Sequence, residues 1–217
     1  MASDVKLNYY QTRLSYSPER EAVWKEIVRY LSKFVDLNSA VLDLGAGYCS
    51  FINQVTAVKK SALDKDPEFI KFAHPDVQTI VGESGDLSMI QNASLDVVFS
   101  SNLFEHLSDS AISKTLDEVG RALKEGGRLI IIQPNFKYCS KEYFDDYTHV
   151  KIFTHESLKD LLLTHGFKIE HVEPRFIPFS MKDSLPKWSW LVFLYLNCPF
   201  RPFAGQMLVI ANKPSHE

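Results

Sequence analysis

The sequence predicts an α/β fold built on a doubly wound, mostly parallel sheet of seven strands with helices on both faces. Short apolar segments alternate with amphipathic ones along the chain, and a glycine-rich turn, LGAG, ends the first of the apolar segments. At 217 residues the chain is long enough for one large domain and too short for two of ordinary size. We therefore expect residues 1–217 to form a single domain.

The first predicted helix begins at Ser17, an N-cap residue that is followed by Pro18 at the first helical position and by Glu19. One apolar stripe then recurs at helical spacing, formed by Val23, Trp24, Ile27, Val28, Leu31 and Phe34. Residues 1–37 are thus predicted to form an N-terminal cap and helix that packs on the core.

Residues 38–133 are predicted to be the cofactor-binding core, because strand and helix patterns take turns there. The expected strands lie in AVLDLG and at 61–63, 77–81, 95–101 and 129–132. Helices are expected at 49–56 and from about Pro67. A further helix is expected through Ile112, Leu116, Val119 and Leu123, ending at Gly126 and Gly127. Parallel strands need such crossovers.

The remaining chain supplies one more predicted helix, which Thr154 caps and Gly166 ends, and strands at 167–172 and 207–211. Two aromatic-rich segments, 134–152 and 174–205, interrupt the alternation after strand ends. Since ligands bind at the carboxyl ends of strands in these sheets, we expect both segments to be lids over the site.

Composition and net charge limit the partners and binding sites that the sequence predicts. The net charge is −3, from 24 basic and 27 acidic residues, without a basic stripe, so nucleic acid is not an expected partner. Three separated cysteines without CxxC pairing predict no disulfide framework and no metal site. The sequence predicts a cytoplasmic monomer or homodimer without a signal peptide or transmembrane helix, and peripheral membrane contact through 188–200 stays open.

Chemistry is concentrated at the ends of the first two predicted strands. Asp43, Gly45 and Gly47 end the first, and Asp64 ends the second, 19 residues after Gly45. Glycines at a strand-to-helix turn let backbone approach a nucleotide, and an acid about 20 residues on can accept both ribose hydroxyl hydrogens. The pattern predicts an adenosine pocket.

The ligand need not be a dinucleotide. Ser50 stands where the last glycine of GxGxxG should be, and the carboxylate of Asp43 just before the glycines would repel a pyrophosphate. Negative charge at that place suits the ammonium or sulfonium of S-adenosylmethionine. The charge pattern therefore favours this methyl donor over NAD.

The segments VLDLGAGYCSF, ALDKDPE, VGESGDLS, SLDVVFSSNLFEHL and LKEGGRLIIIQPN resemble, in order, the motifs of class I S-adenosylmethionine-dependent methyltransferases. Cys49 departs from that pattern at the third glycine position. The resemblance implies the Rossmann-like methyltransferase fold. By position it implies cofactor contacts for the methionine half from Asp43, Gly45, Gly47, Asn102 and Leu103, for the ribose from Asp64, and for the adenine from Lys65, Glu83 and Ser84.

Three further residues are candidates with two interpretations each. His106 is either a general base or a helix-start residue turned into the core, and His149 is either the substrate-side base or part of a hydrogen-bonded loop. Arg13 either clamps the cofactor carboxylate or is an ordinary surface arginine. Alignment of donor and acceptor can also drive methyl transfer without any base.

The sequence thus predicts methyl transfer to a small molecule. No (N/D)PPY follows the fourth strand, and the DDYTH to FTHESL region loosely resembles methyltransferases of sugars, lipid-linked glycans and secondary metabolites. The alternatives are an NAD(P)-dependent oxidoreductase and a non-catalytic scaffold that retains the fold.

Overall fold

The computed structural model describes residues 16–179 and 188–215. Within these ranges one sheet has the order β3-β2-β1-β4-β5-β7-β6, in which β7 runs antiparallel to both neighbours and the other pairs are parallel. The strands are β1 (Ala40–Leu44), β2 (Lys59–Asp64), β3 (Val77–Val81), β4 (Leu95–Ser101), β5 (Leu123–Pro134), β6 (Lys168–Pro178) and β7 (Ala204–Asn212). The predicted fold class is confirmed.

Helices connect these strands. The α-helices are α1 (Pro18–Leu31), α2 (Pro67–Ile70), α3 (Asp109–Ala122), α4 (Phe136–Cys139), α5 (His155–Thr164) and α6 (Ser189–Asn197), and 3₁₀ turns lie at Ser32–Phe34, Phe104–His106 and Tyr143–Asp145. Thr154 and Ser157 form a capping box at α5, as expected for a helix that begins with this sequence. Gly166 has φ +81° just after α5, which is the left-handed stop the sequence predicts.

Both faces of the sheet are covered, which explains the uninterrupted apolar strands. Side chains alternate between the faces: Leu42 and Leu44 of β1 pack with α3 and α5, whereas Val41 packs with α1 and α6. In β5, Ile131 belongs to the first cluster and Ile130 to the second. All five side chains are fully buried.

Several predicted elements differ from the structure. Residues 49–56 form consecutive turns instead of a regular helix, and Cys49 at their start has a left-handed φ of +58°, which a right-handed helix cannot include. Helix α3 ends at Ala122, before the glycines, since Leu123 already pairs with Leu95 at an irregularity of β5. Strands β6 and β7 are longer than predicted, because they pair with each other.

The first inserted segment, 134–152, lies at the carboxyl end of β4. The backbone amides of Val150 and Lys151 donate hydrogen bonds of 2.9 and 3.1 Å to the carbonyl oxygen of Glu105. The buried Tyr143 hydroxyl donates to the carbonyl of Lys151 at 2.5 Å. These bonds hold the segment against the 3₁₀ turn that follows β4.

None of the described residues 188–205 lines the cavity at the carboxyl ends of β1 to β4, and a lid role for 174–205 stays a prediction. Helix α6 packs on α1 instead: the Ser189 hydroxyl donates to the carboxylate of Glu26, and the Arg29 guanidinium lies 4.5 Å from the centre of the Phe193 ring. Arg201 pairs with Glu173 of β6. Among the described residues no helix is long and apolar enough to cross a bilayer.

Candidate functional site

A cavity of about 420 Å³ opens at the carboxyl ends of β1, β2, β3 and β4. Its lining includes ten of the twelve site residues that the sequence singles out: Asp43, Gly45, Gly47, Asp64, Lys65, Glu83, Ser84, Asn102, Leu103 and His106. Parallel strands bring these positions together, because their carboxyl ends meet at one edge of the sheet. Arg13 lies outside the described residues, and His149 does not line the cavity.

The turn after β1 depends on glycine at two positions. Gly45 and Gly47 have φ values of +75° and +49°, in the left-handed region that side chains disfavour. A Cβ atom on Gly45 would also stand 3.2 Å from the Leu103 side chain. The amides of Gly45 and Ala46 donate to the carbonyl of Leu63, so the turn is fastened to the end of β2.

Asp64 holds the next loop with both carboxylate oxygens. Oδ2 accepts a hydrogen bond of 2.9 Å from the Gly47 amide, and Oδ1 accepts one of 2.9 Å from the Asp66 amide. Each carboxylate oxygen retains a second lone pair for a ligand hydroxyl. Burial raises the pKa of Asp64, and these two amide bonds oppose that rise.

Asp43 is the second acid of the cavity, and it is almost completely buried. Burial raises its pKa to about 8, which the amide hydrogen bond from Ile52 opposes and the nearby charge of Asp64 reinforces. A cation bound beside Asp43 would lower the pKa of this acid and favour its ionised form, so the two acids at the partly exposed glycine turn can stabilise a bound cation. A pyrophosphate would meet repulsion there.

The adenine-side candidates come from the ends of β2 and β3. Lys65 follows Asp64, while Glu83 and Ser84 follow Gly82 at the end of β3. The Ser84 hydroxyl lies 3.0 Å from the hydroxyl of Thr115, which ties this loop to α3. Two aromatic side chains, Tyr48 and Phe69, complete this part of the wall with ring centres 4.8 Å apart.

The loop after β4 forms the opposite wall. Asn102 has a left-handed φ of +52°, and its backbone amide donates to the carbonyl of Ile132 on β5 at 2.9 Å. This conformation places Leu103 beside Gly45. A strained residue at a strand end inside a cavity is typical of functional loops.

His106 lines the cavity, and His149 stands behind it with ring centres 4.9 Å apart. His106 Nδ1 donates to the Thr148 hydroxyl at 2.9 Å, which in turn donates to Asp146 at 2.7 Å. His149 Nδ1 donates to the carbonyl of Tyr143 at 2.6 Å. The role of either histidine as a base stays a prediction, and His149 approaches the cavity only through His106.

The sequence analysis missed part of the wall: Arg20, Trp24, Ala46, Tyr48, Ser50, Phe51, Leu63, Phe69, Gly82, Phe99, Ser101, Leu107 and Thr148. Arg20 and Trp24 lie four residues apart on α1, so they share one face of that helix. Burial lowers the pKa of Arg20, and the neighbouring Glu21 opposes this. The helical stripe that contains Trp24 indicated packing, but it could not show that α1 packs across the cavity.

Comparison with known proteins agrees with this geometry. Residues 16–172 match the methyltransferase domain family. The uncharacterized protein MJ0638 of Methanocaldococcus jannaschii is 30% identical over 183 residues, which are 82% of this chain and 77% of that protein. The tRNA N(3)-cytidine methyltransferase METTL2 of Danio rerio is 27% identical over 167 residues, 70% of this chain, and the chain spans 45% of that relative's length.

Solved structures show the same fold. A SAM-dependent methyltransferase from Archaeoglobus fulgidus has a TM-score of 0.67 at 21% identity, covering 89% of this chain and 94% of that one. A chain from the complex of the Haloferax volcanii Trm112 methyltransferase activator with a methyltransferase has a TM-score of 0.69 at 19% identity, covering 90% and 92%.

Proposed function

This chain belongs to the class I methyltransferase family, and on that premise we propose that it transfers a methyl group from S-adenosylmethionine to a small-molecule acceptor. The observation that carries the proposal is the pair of acids, Asp43 and Asp64, on either side of the Gly45–Gly47 turn. This arrangement offers a cation site and a hydroxyl site within one cavity. The cavity volume falls in the range of small-ligand sites.

We place the cofactor by the chemistry of the walls. The ribose hydroxyls bond the remaining lone pairs of Asp64, and the adenine lies among Lys65, Glu83 and Ser84. The cationic methionine half lies over the Gly45 turn near Asp43, between it and the loop that carries Asn102 and Leu103. Among the described residues, we assign Arg20 to bind the cofactor carboxylate. The sequence analysis gave Arg13 as a candidate for this role.

Methyl transfer needs the acceptor atom in line with the S–CH₃ bond, so that the new bond forms as the sulfonium becomes a neutral thioether. The wall formed by His106, Leu107 and Thr148 is where we place the acceptor, beside the loop after β4. Alignment alone contributes much of such a rate. His106, held by Thr148 and Asp146, is the candidate to accept a proton from the acceptor.

A polynucleotide acceptor is the competing proposal, because the Danio rerio relative acts on tRNA. The chain spans less than half of that relative, and its net charge of −3 opposes a phosphate backbone. We therefore favour a small molecule, with sugars, lipid-linked glycans and secondary metabolites as classes to test first. The expectation of membrane contact through 188–200 also stays a proposal, supported by exposed Trp188 and Trp190.

The test begins with calorimetry of S-adenosylmethionine, S-adenosylhomocysteine and NAD⁺. We expect micromolar binding of the first two and none of NAD⁺; the reverse pattern would establish the oxidoreductase, and binding of none would support the scaffold. Methyl-labelled cofactor is then incubated with metabolite extracts, lipid extracts and total tRNA in separate arms. Label in the tRNA arm alone would overturn the small-molecule proposal.

The labelling assay should also test whether the chain needs a protein partner for activity. Because one structural neighbour was solved in a complex with an activator protein, label transfer is measured with the chain alone and with cell extract added. We propose that the chain is a monomer or homodimer, which sedimentation measures directly. Activity that appears only with extract would assign a required protein partner.

A further inference from the structure

A second group of polar side chains lies next to the cofactor cavity. Glu105, His106 and His149 each offer one ligand atom, and these atoms lie within 4.8 Å of one another. Glu105 and His106 sit in the 3₁₀ turn after β4, and His149 comes from the first insertion, 43 residues later in the chain. The Val150 amide, bonded to the carbonyl of Glu105, fixes this approach. We call these three residues the Glu105 cluster.

Glu105 is the feature that needs explanation. Its side chain is fully buried, and neither carboxylate oxygen has a hydrogen-bond partner among the described residues. An ionised carboxylate in such a place costs several kcal/mol unless a cation or several donors compensate it. An unpartnered buried acid beside two imidazoles is the donor set of a cation site.

The histidines are already oriented as metal ligands usually are. The Nδ1–H of His149 donates to the carbonyl of Tyr143, and the Nδ1–H of His106 donates to the Thr148 hydroxyl, which Asp146 orients. In the neutral rings the lone pair is therefore on Nε2. Metal-binding histidines generally hold their second nitrogen on a carbonyl or carboxylate in this way, which fixes the tautomer.

We propose that Glu105, His106 and His149 bind one divalent transition-metal ion, through two imidazole nitrogens and one carboxylate. This ligand set suits zinc, manganese, iron or cobalt and leaves coordination positions open, whereas calcium and magnesium prefer oxygen ligands alone. Ligands at about 2.1 Å from such an ion stand roughly 3.4 Å apart. The ligand atoms now lie within 4.8 Å of one another, so binding an ion requires them to approach by up to about 1.4 Å.

The position of this site suggests its use. His106 belongs both to the Glu105 cluster and to the wall of the cavity, so an ion held by the cluster lies next to the space assigned above to the acceptor. An ion there holds and polarises an acceptor oxygen. This use rests on the proposed function, whereas metal binding itself does not.

The test uses untagged full-length protein that has been treated with a chelator. Cobalt(II) is titrated while visible absorption is recorded, and zinc binding is measured by calorimetry. We expect one equivalent of either ion. Glu105→Gln, which keeps the shape and removes the charge, and His149→Gln should each weaken binding at least tenfold. His74→Gln, an exposed histidine far from the cluster in sequence, is the matched control and should bind normally.

Thermal unfolding shows whether each variant is folded and provides a second readout. At one fixed zinc concentration, Tm should rise for the wild type and for His74→Gln, and it should rise by clearly less for Glu105→Gln. The proposal is overturned if the wild type binds no ion, or if Glu105→Gln and His149→Gln bind as tightly as the wild type.

Calorimetry of S-adenosylhomocysteine with metal-free and zinc-loaded wild type separates the two proposals. We expect cofactor affinities within about threefold of each other. Cofactor binding without metal binding would refute the Glu105 cluster as a metal site and leave the methyltransferase proposal standing. Metal binding without cofactor binding would do the opposite.

Discussion

The backbone amide of Gly47 donates a hydrogen bond of 2.9 Å to Oδ2 of Asp64. This bond joins the glycine turn after β1 to the acid that ends β2, so the two sequence motifs form one structural unit. The Asp66 amide on Oδ1 keeps the same carboxylate from rotating. An acid held in this way meets a ribose without first losing side-chain freedom.

Replacing Asp64 tests this unit. We expect Asp64→Ala to weaken the binding of S-adenosylhomocysteine at least 100-fold in calorimetry, because two hydrogen bonds to a charged group, each ~1.5–3 kcal/mol, are lost. The fold should persist by circular dichroism. Asp66→Ala is the control, since its partly exposed side chain caps α2, and it should bind within about threefold of wild type. Unchanged affinity in Asp64→Ala would remove Asp64 from the ribose site.

Asp43 should make stability depend on pH. Its folded pKa of about 8 lies above the unfolded value, so the folded state binds the proton more tightly. That contribution is complete below about pH 4 and is lost as pH rises through 8. We therefore expect Asp43→Asn, which cannot ionise, to melt above wild type by roughly 3–8 °C at pH 8 and by less at pH 5.

The same substitution removes the negative charge proposed to face the cofactor. Because a bound sulfonium lowers the pKa of Asp43 and ionises it, S-adenosylmethionine should bind Asp43→Asn at least tenfold more weakly in calorimetry at pH 7.5, even though the ligand-free variant is more stable. A difference in Tm that does not change with pH would show that Asp43 is ionised throughout this range.

Gly45→Ala tests the conformation of the turn. The left-handed φ of +75° costs an alanine about 1–2 kcal/mol, and its Cβ would press on Leu103 at 3.2 Å. We expect lower Tm and at least tenfold weaker cofactor binding. Gly120→Ala is the matched control, because this helical glycine leaves ordinary space before Phe167; it should gain up to ~1 kcal/mol and bind normally. Equal behaviour of the two variants would contradict this account of the turn.

Arg20→Ala tests the cofactor carboxylate. We expect S-adenosylhomocysteine to bind about tenfold more weakly, the value of one charge-assisted hydrogen bond. The related 5′-methylthioadenosine has no carboxylate, and its affinity should stay within about twofold. Equal losses for both ligands would mean that Arg20 supports the cavity wall without contacting the carboxylate.

Local sequence signals were enough for much of this site. Alternating apolar segments predicted seven strands, and because parallel strands end at one edge, the positions of Asp43, Asp64 and Glu83 in a common cavity followed. Failures came where local pattern and tertiary packing compete. Residues 49–56 carry a helical spacing, yet they form turns, and Cys49 at their start has a left-handed φ that a right-handed helix cannot include.

Other parts of the site depend on contacts between distant segments. The sequence places Arg20 and Trp24 on one face of an amphipathic helix. Only the packing of α1 across the cavity shows that this face also lines the site. The aromatic segment 174–205 reads as a lid, but its described helix is held on α1 through Glu26. The spacing of apolar residues does not show whether such a helix packs over the cavity or on α1.

The amino-acid sequence by itself determined the family, the fold and the acids of the proposed cofactor site, because strand period, turn glycines and residues at strand ends are local properties. Only the tertiary structure decided that Gly47 bonds Asp64, that α1 lines the cavity, and that the Glu105 carboxylate is buried beside His149 without a hydrogen-bond partner among the described residues. Burial and long-range approach arise from the packing of whole elements, so no single segment encodes them.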